Sequence, residues 1–471
     1  MINSSKTSAI LFMSIILATA FLGYLTSFVS SSKMLFAMGS LGLFVIGFIR
    51  VEFALYLLIF SMLLSPEFVL GTTEARSSLG RGITLRLDDL LIGVIGFGWL
   101  AKTAVNKELG LVLRTPLNKP IFFYITVCVV STAVGTIAGN VNPKVGFFYV
   151  LKYFEYCVVY FMVVNHVRNR EQIERFILCF LITCAIISLY GMMQIPGGGR
   201  VTAPFEGESG EPNTMGGYLL LMGCVVTGFL IKLEDTSRRI LLFALLCAIF
   251  TALLFTESRS SYLAVIPAYM VFMALAKKKY IFVGLLAVAL AISPLILPER
   301  VKERTLYTFQ QAEHEGQMEI GGIRLDTSTS ARLASWASGL SRWSERPVIG
   351  WGVTGTTFMD AQFPRILVET GLVGLIAFLY LIYKLLKQVM ASYRRVEDPL
   401  FQGLAMGFLA GFVGLLFHAI GANTFIIVRI MEPFWFLAGM VLMLPEIEEQ
   451  AHPGILETTP ASWREQGRTA A

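Results

Sequence analysis

Long apolar runs recur along the chain from Ser8 to Leu444, separated by short polar stretches. A helix needs roughly 20 apolar residues to cross the hydrocarbon core. By that measure, the runs near 8–30, 34–49, 51–65, 88–105, 119–139, 147–165, 172–195, 214–232, 239–256, 260–276, 280–297, 365–387, 401–421 and 424–445 read as helices. That is about fourteen, and because some runs are short enough to span only halfway the range is about 12–14. The pattern predicts an all-α, polytopic transmembrane helical bundle. One large outward loop, 298–364, divides it into N-terminal membrane helices over 1–297 and C-terminal ones over 365–445, with a polar tail over 446–471. No internal repeat or low-complexity tract is evident, and the tail has the composition of a disordered segment.

Composition supports this reading. Of 471 residues, 55% are hydrophobic and only 15% are charged, and the mean hydropathy is +0.68. A soluble chain of this length needs far more charge to cover its surface. The net charge of +6 reports basic residues that fix topology, not a nucleic-acid surface. All six cysteines lie in or beside apolar runs, where cysteine serves as a small packing residue. No Cys-x-x-Cys or Cys/His cluster is present, so neither a disulfide nor a zinc site is expected. The lone Lys6 before a long first run suits an uncleaved first helix.

With the N-terminus inside, the even-numbered connections carry dense basic clusters. Examples are Arg168 with Arg170, Arg238 with Arg239, and Arg394 with Arg395. This is the cytoplasmic bias of loop lysine and arginine, and it places both termini in the cytoplasm. Three outward segments break the rule. They are 66–87 with Arg76, Arg81 and Arg86; 196–213 with Arg200; and 298–364, followed by Arg365. An anionic ligand held on that face explains the misplaced charge; pairing with the acids of the long loop is the bland alternative.

Four stretches on that face carry candidate chemistry. Gly199-Arg200 is followed by Glu211-Pro212-Asn213, ordinary residues for a helix start, leading into Gly216-Gly217-Tyr218-Leu219. Thr256-Glu257-Ser258-Arg259-Ser260-Ser261 is squeezed between two apolar runs, where an arginine is costly unless it is paired or lines a wet cavity. From Asp326 to Gly352 come Arg332-Leu333-Ala334-Ser335-Trp336 and Pro347-Val348-Ile349-Gly350-Trp351-Gly352. Here Leu333, Trp336, Leu340 and Trp343 fall at helical spacing, predicting an amphipathic surface helix. Last come Asp360-Ala361-Gln362 and Glu369-Thr370-Gly371-Leu372-Val373-Gly374.

In this order, and with this topology, the four stretches resemble the O-antigen ligase/polymerase superfamily of membrane glycosyltransferases. The resemblance covers about 200–374, with compatible helix counts on both sides. It implies a GT-C-like bundle in the bacterial inner membrane, its long periplasmic loop holding short amphipathic helices. It also implies inverting, metal-independent transfer of sugar from undecaprenyl pyrophosphate, with no cofactor. Its donor is a polyprenyl-pyrophosphate-linked oligosaccharide and its acceptor a glycan or lipid A-core. Membrane lipids, a flippase and chain-length regulators are the expected partners; nucleic acid is not.

Arginine supplies rigid bidentate donors for phosphate oxygens, suited to a leaving pyrophosphate. Arg200, Arg259 and Arg332 are therefore the expected pyrophosphate contacts, with Arg76, Arg81, Arg86, Arg365, Glu211 and Asn213 as weaker candidates. The acceptor hydroxyl needs a base or an orienting hydrogen-bond acceptor. In the ligase branch a His-Asn pair stands nine residues before the helix glutamate; here that position holds Asp360-Ala361, ahead of Glu369. The departure favours a polymerase over a ligase and makes Asp360 and Glu369 the catalytic candidates. Each also has a structural reading, Asp360 as a loop or cap residue and Glu369 as an acid in the helix's first turn. A transporter of lipid-linked oligosaccharide is the competing class, and it predicts internal repeats and broken helices, neither of which the sequence displays. A non-catalytic scaffold would leave the outward arginines unexplained.

Overall fold

The computed structural model describes residues 51–65, 67–69, 84–86, 89, 91–98, 115–206, 210–276, 317–320, 323–324, 326–356 and 359–451, with scattered residues between 279 and 302. The expected helices over 8–30 and 34–49, Arg76, Arg81, much of the long loop's first half and the tail beyond residue 451 lie outside them.

Among the described residues, the apolar runs form helices where the sequence places them. They are α1 (Val51–Leu64), α2 (Asn118–Ile137), α3 (Pro143–His166), α4 (Arg170–Gln194), α5 (Pro212–Lys232), α6 (Thr236–Phe255), α7 (Arg259–Leu275), α8 (Thr327–Glu345), α9 (Gln362–Arg395), α10 (Pro399–Gly421) and α11 (Val428–Ala451). Eight of these are long and apolar enough to cross a membrane. Several helix starts are set by short polar side chains that accept from the first free backbone N–H groups. Asn142, Asn169, Asp235, Ser258, Asp326 and Asp398 each do this. Residues 91–98 are helical as well, and two short antiparallel strand pairs are present, Glu67–Val69 with Thr84–Arg86 and Glu319–Ile320 with Ile323–Arg324. The last helix continues to Ala451, so the tail expected from 446 begins inside it.

In lipid, helices associate through close packing instead of hydrophobic exclusion, which favours small residues at contacts. The central pair, α5 and α10, follows this rule. Gly403, Gly407 and Gly411 recur one turn apart and lie against Phe229, Val225 and Leu221. α11 is almost wholly enclosed. Its Arg429 has no exposed surface and donates to Leu63 O at 2.9 Å, Pro204 O at 2.5 Å and Ser65 O at 3.4 Å.

Polar residues gather at the two ends of the bundle. At one end Arg170 pairs with Asp398, and Lys232 donates to Gln402 at 2.8 Å. Glu448 accepts from Asp398 N there at 2.7 Å. The opposite end holds the starts of α5, α7, α8 and α9, and with them the arginine-bearing motifs.

α9 is broken inside the bundle, a feature that hydropathy does not show. At Gly371 the backbone takes φ 68°, ψ −170°, open to glycine and strained for other residues. The loop after α8 folds against this break. Trp351 N and Gly352 N donate to Val368 O and Glu369 O at 3.1 and 2.8 Å. Leu372 N and Val373 N donate to Pro347 O and Val348 O at 2.8 and 3.2 Å. Non-helical backbone at membrane depth survives only where its polar groups are satisfied in this way. At Gly350 (φ 75°) a side chain would meet the Glu369 backbone at 2.6 Å. The glycines of both motifs therefore serve a backbone-to-backbone joint.

Candidate active site

The site end is built from reciprocal contacts between motifs far apart in sequence. Arg200 donates from Nε to Thr256 O and from Nη2 to Glu257 O, each at 3.0 Å. Val201 N donates to Phe255 O at 2.9 Å. Carbonyls at the end of α6, which lack helical partners, are filled by this strand-like segment. The next turn is tight, with Glu257 at φ 50°. Ser258 Oγ donates to Asn213 Oδ1 at 2.7 Å, and Asn213 Nδ2 donates to Glu211 Oε1 at 3.4 Å. Arg200, Glu211, Asn213 and the Thr-x-Ser-Arg-Ser-Ser segment thus form one unit.

Arg259, at the first turn of α7, reaches across to α8. Its Nη2 donates to Asp326 Oδ2 at 2.8 Å, and Asp326 also caps α8 through Thr329 N at 3.4 Å. Burial pushes the Asp326 carboxyl up, but the Arg259 and Thr329 hydrogen bonds outweigh it and hold the group below its ordinary value. Asp326 opens the third motif, yet nothing in the sequence marks it as the partner of Arg259. Arg332, further along α8, donates to Asp360 Oδ2 at 3.4 Å, the long end of the hydrogen-bond range. Asp360 Oδ1 is buried without a hydrogen-bond partner among the described residues. Burial raises the carboxyl above its ordinary value, and Arg332 only partly offsets this.

Arg365 and Glu369 pair with each other inside the bundle. Both are buried, and Arg365 Nε donates to Glu369 Oε1 at 3.0 Å. The same oxygen accepts from Thr354 N at 3.0 Å, so Glu369 fastens the loop that fills the break in α9. The expected surface helix is present as α8, although Leu340 is exposed. Arg86 belongs to another cluster. Its backbone N donates to Asp89 Oδ2 at 2.9 Å, and Asp89, Glu155 and Glu432 bring carboxylate oxygens within 4.8 Å of one another. This is the grouping best suited to a metal among the described residues. Lys152 pairs with Asp89 there, and with Glu155 at 3.1 Å, so an ammonium already supplies positive charge.

Residues 241–379 match the family model of the O-antigen ligase. This segment is a domain of the O-antigen ligase/polymerase superfamily. The matched superfamily domain contains Arg259, Arg332, Asp360, Arg365 and Glu369, whereas Arg200, Glu211 and Asn213 precede it. No curated protein matches the chain. The membrane-spanning helices give a multi-pass membrane protein, and its segment 241–379 is similar to the O-antigen ligase family.

Proposed function

We propose that the protein polymerises glycan repeat units, transferring a growing chain from undecaprenyl pyrophosphate on the periplasmic face of the bacterial inner membrane. The observation that carries this reading is the pairing of Arg332 with Asp360 beside the Arg259–Asp326 pair. Each guanidinium is held in place by a carboxylate while remaining partly exposed, and the longer Arg332 contact is readily exchanged for a phosphate oxygen. Fixed guanidinium groups stabilise charge as pyrophosphate leaves, with no reorganisation at the moment of reaction. Asp360 Oδ1, buried and without a hydrogen-bond partner among the described residues, is the acceptor suited to a sugar hydroxyl. The basic clusters at the opposite end of the bundle support a periplasmic site.

Ligation is the second reading, favoured by the description of the matched family and opposed by Asp360-Ala361 where the ligase pattern has His-Asn. The break in α9 is a feature that the transporter reading expects. Here the chain's own loop fills it, leaving no open half-helix ends for a solute.

Deleting the gene and sizing surface and carrier-linked glycans tests these readings. Single repeats without long chains identify a polymerase. Full-length chains stranded on the carrier identify a ligase. Unchanged glycans in both pools, in a strain with no second copy, overturn glycosyl transfer.

A further inference from the structure

The end of α10 and the loop before α9 face each other through residues that each use one polar atom to hold the fold. Asn423 Nδ2 donates to Met359 O at 2.6 Å, Gln362 Oε1 accepts from Phe425 N at 2.9 Å, and His418 Nδ1 meets Thr424 Oγ1 at 2.7 Å. The partners fix the amide orientations, since Met359 O only accepts and Phe425 N only donates. The other atom of each residue is left over. Asn423 Oδ1, Gln362 Nε2 and His418 Nε2 are buried with no hydrogen-bond partner among the described residues. The exposures of the three residues are 5%, 0% and 0%. Buried polar atoms carry a cost of about 1–3 kcal/mol each when unsatisfied, so three on two facing segments call for an occupant.

The chemistry of the set selects that occupant. It offers an amide donor, an amide acceptor and an imidazole nitrogen, with no fixed charge. Such a mixed neutral set matches hydroxyl groups, which donate and accept, and not phosphate, which only accepts and is better served by the arginines. Its place is equally specific. Met359 precedes Asp360, and Gly421 lies so close to Ser260, next to Arg259, that a side chain there would clash. We propose that His418, Gln362 and Asn423 form a hydroxyl-binding subsite for the acceptor glycan, beside the Asp360 carboxylate. This rests on the transferase reading and names the ring contacts that position the acceptor.

The test uses the full-length protein in lipid nanodiscs with a lipid-linked repeat as donor and a soluble glycan as acceptor. His418→Asn keeps a group at the Nδ1 position for Thr424 but removes Nε2. Gln362→Glu keeps the oxygen for Phe425 N but replaces the donor with an acceptor. With thermal midpoints unchanged, each variant raises the acceptor KM about tenfold, the loss of one hydrogen bond, and leaves the donor KM unchanged. His418→Asn also narrows the wild-type preference for the natural acceptor over its deoxy analogues. An unchanged acceptor KM and analogue preference in folded variants would mean that the atoms hold only water, and overturns the subsite. A rise in donor KM alone assigns it to the donor sugar and overturns the acceptor assignment. If the wild-type protein transfers nothing, and Arg259→Ala leaves cellular glycans unchanged, the transferase reading itself fails.

Discussion

Arg259 and Asp326, 67 residues apart, meet at 2.8 Å, and the carboxylate has no exposed side-chain surface. One arginine therefore both anchors α8 and, in the proposed function, contacts pyrophosphate. The two roles separate by mutating the partner.

If anchoring is all that Arg259 does, Asp326→Asn weakens transfer as much as Arg259→Ala. If Arg259 also contacts pyrophosphate, Asp326→Asn retains most turnover. Arg259→Ala then loses about 100-fold, and Arg259→Lys falls between, because a point charge replaces a bidentate fork. Transfer rates in nanodiscs, normalised to folded protein, decide the matter.

Burial raises the Asp360 carboxyl and Arg332 pulls it down. An ionised Asp360 is the form that accepts a proton, so activity falls on acidification at a pH above the ordinary carboxylate value of about 4. Removing Arg332 moves this acid limb higher still. A pH profile of Arg332→Gln whose limb is unshifted or lower would contradict this assignment.

The same shift makes a stability prediction. A carboxyl whose folded pKa is raised favours its protonated form in the fold, and its contribution is lost as pH rises through that pKa. Asp360→Asn therefore abolishes transfer while raising the thermal midpoint at neutral pH, and the gain vanishes at low pH. Thermal scans at two pH values measure it.

Gly371 has φ 68°, and a side chain there would collide with Val348 O. Gly371→Ala costs about 1–3 kcal/mol from backbone strain alone and loosens the loop carrying Trp351. Glu369→Gln weakens the buried contacts to Arg365 and Thr354 N, at a further cost of about 3–5 kcal/mol if the arginine is left unpaired. Both appear as lower thermal midpoints and greater protease sensitivity in 346–356.

Much of the bundle was legible because the bilayer imposes a length on every spanning helix, and apolar runs report it directly. The amphipathic spacing of Leu333 and Trp336 likewise gave α8. The break at Gly371 was not legible. Hydropathy is blind to φ, and the groups that repair the break come from Pro347–Gly352. Among site residues, Arg332 and Asp360 were singled out separately, but their pairing depends on how α8 lies along α9. Glu369 carried a motif, yet its partners are structural, because an acid next to a helix break is needed wherever a loop must be fastened. His418 had only its position near a helix end, and its neighbours Gln362 and Asn423 were silent until the fold set them face to face.

The carbonyls of Leu63, Ser65 and Pro204 all await the guanidinium of Arg429, which lies hundreds of residues downstream of the first two. A ribosome delivers that arginine only after α1 through α10 have been made. Until then, these three carbonyls lack the guanidinium that ties α1 to the segment before α5. α11 is thus a bolt, and a nascent chain stopped before residue 428 remains an open set of helices for quality-control proteases to find.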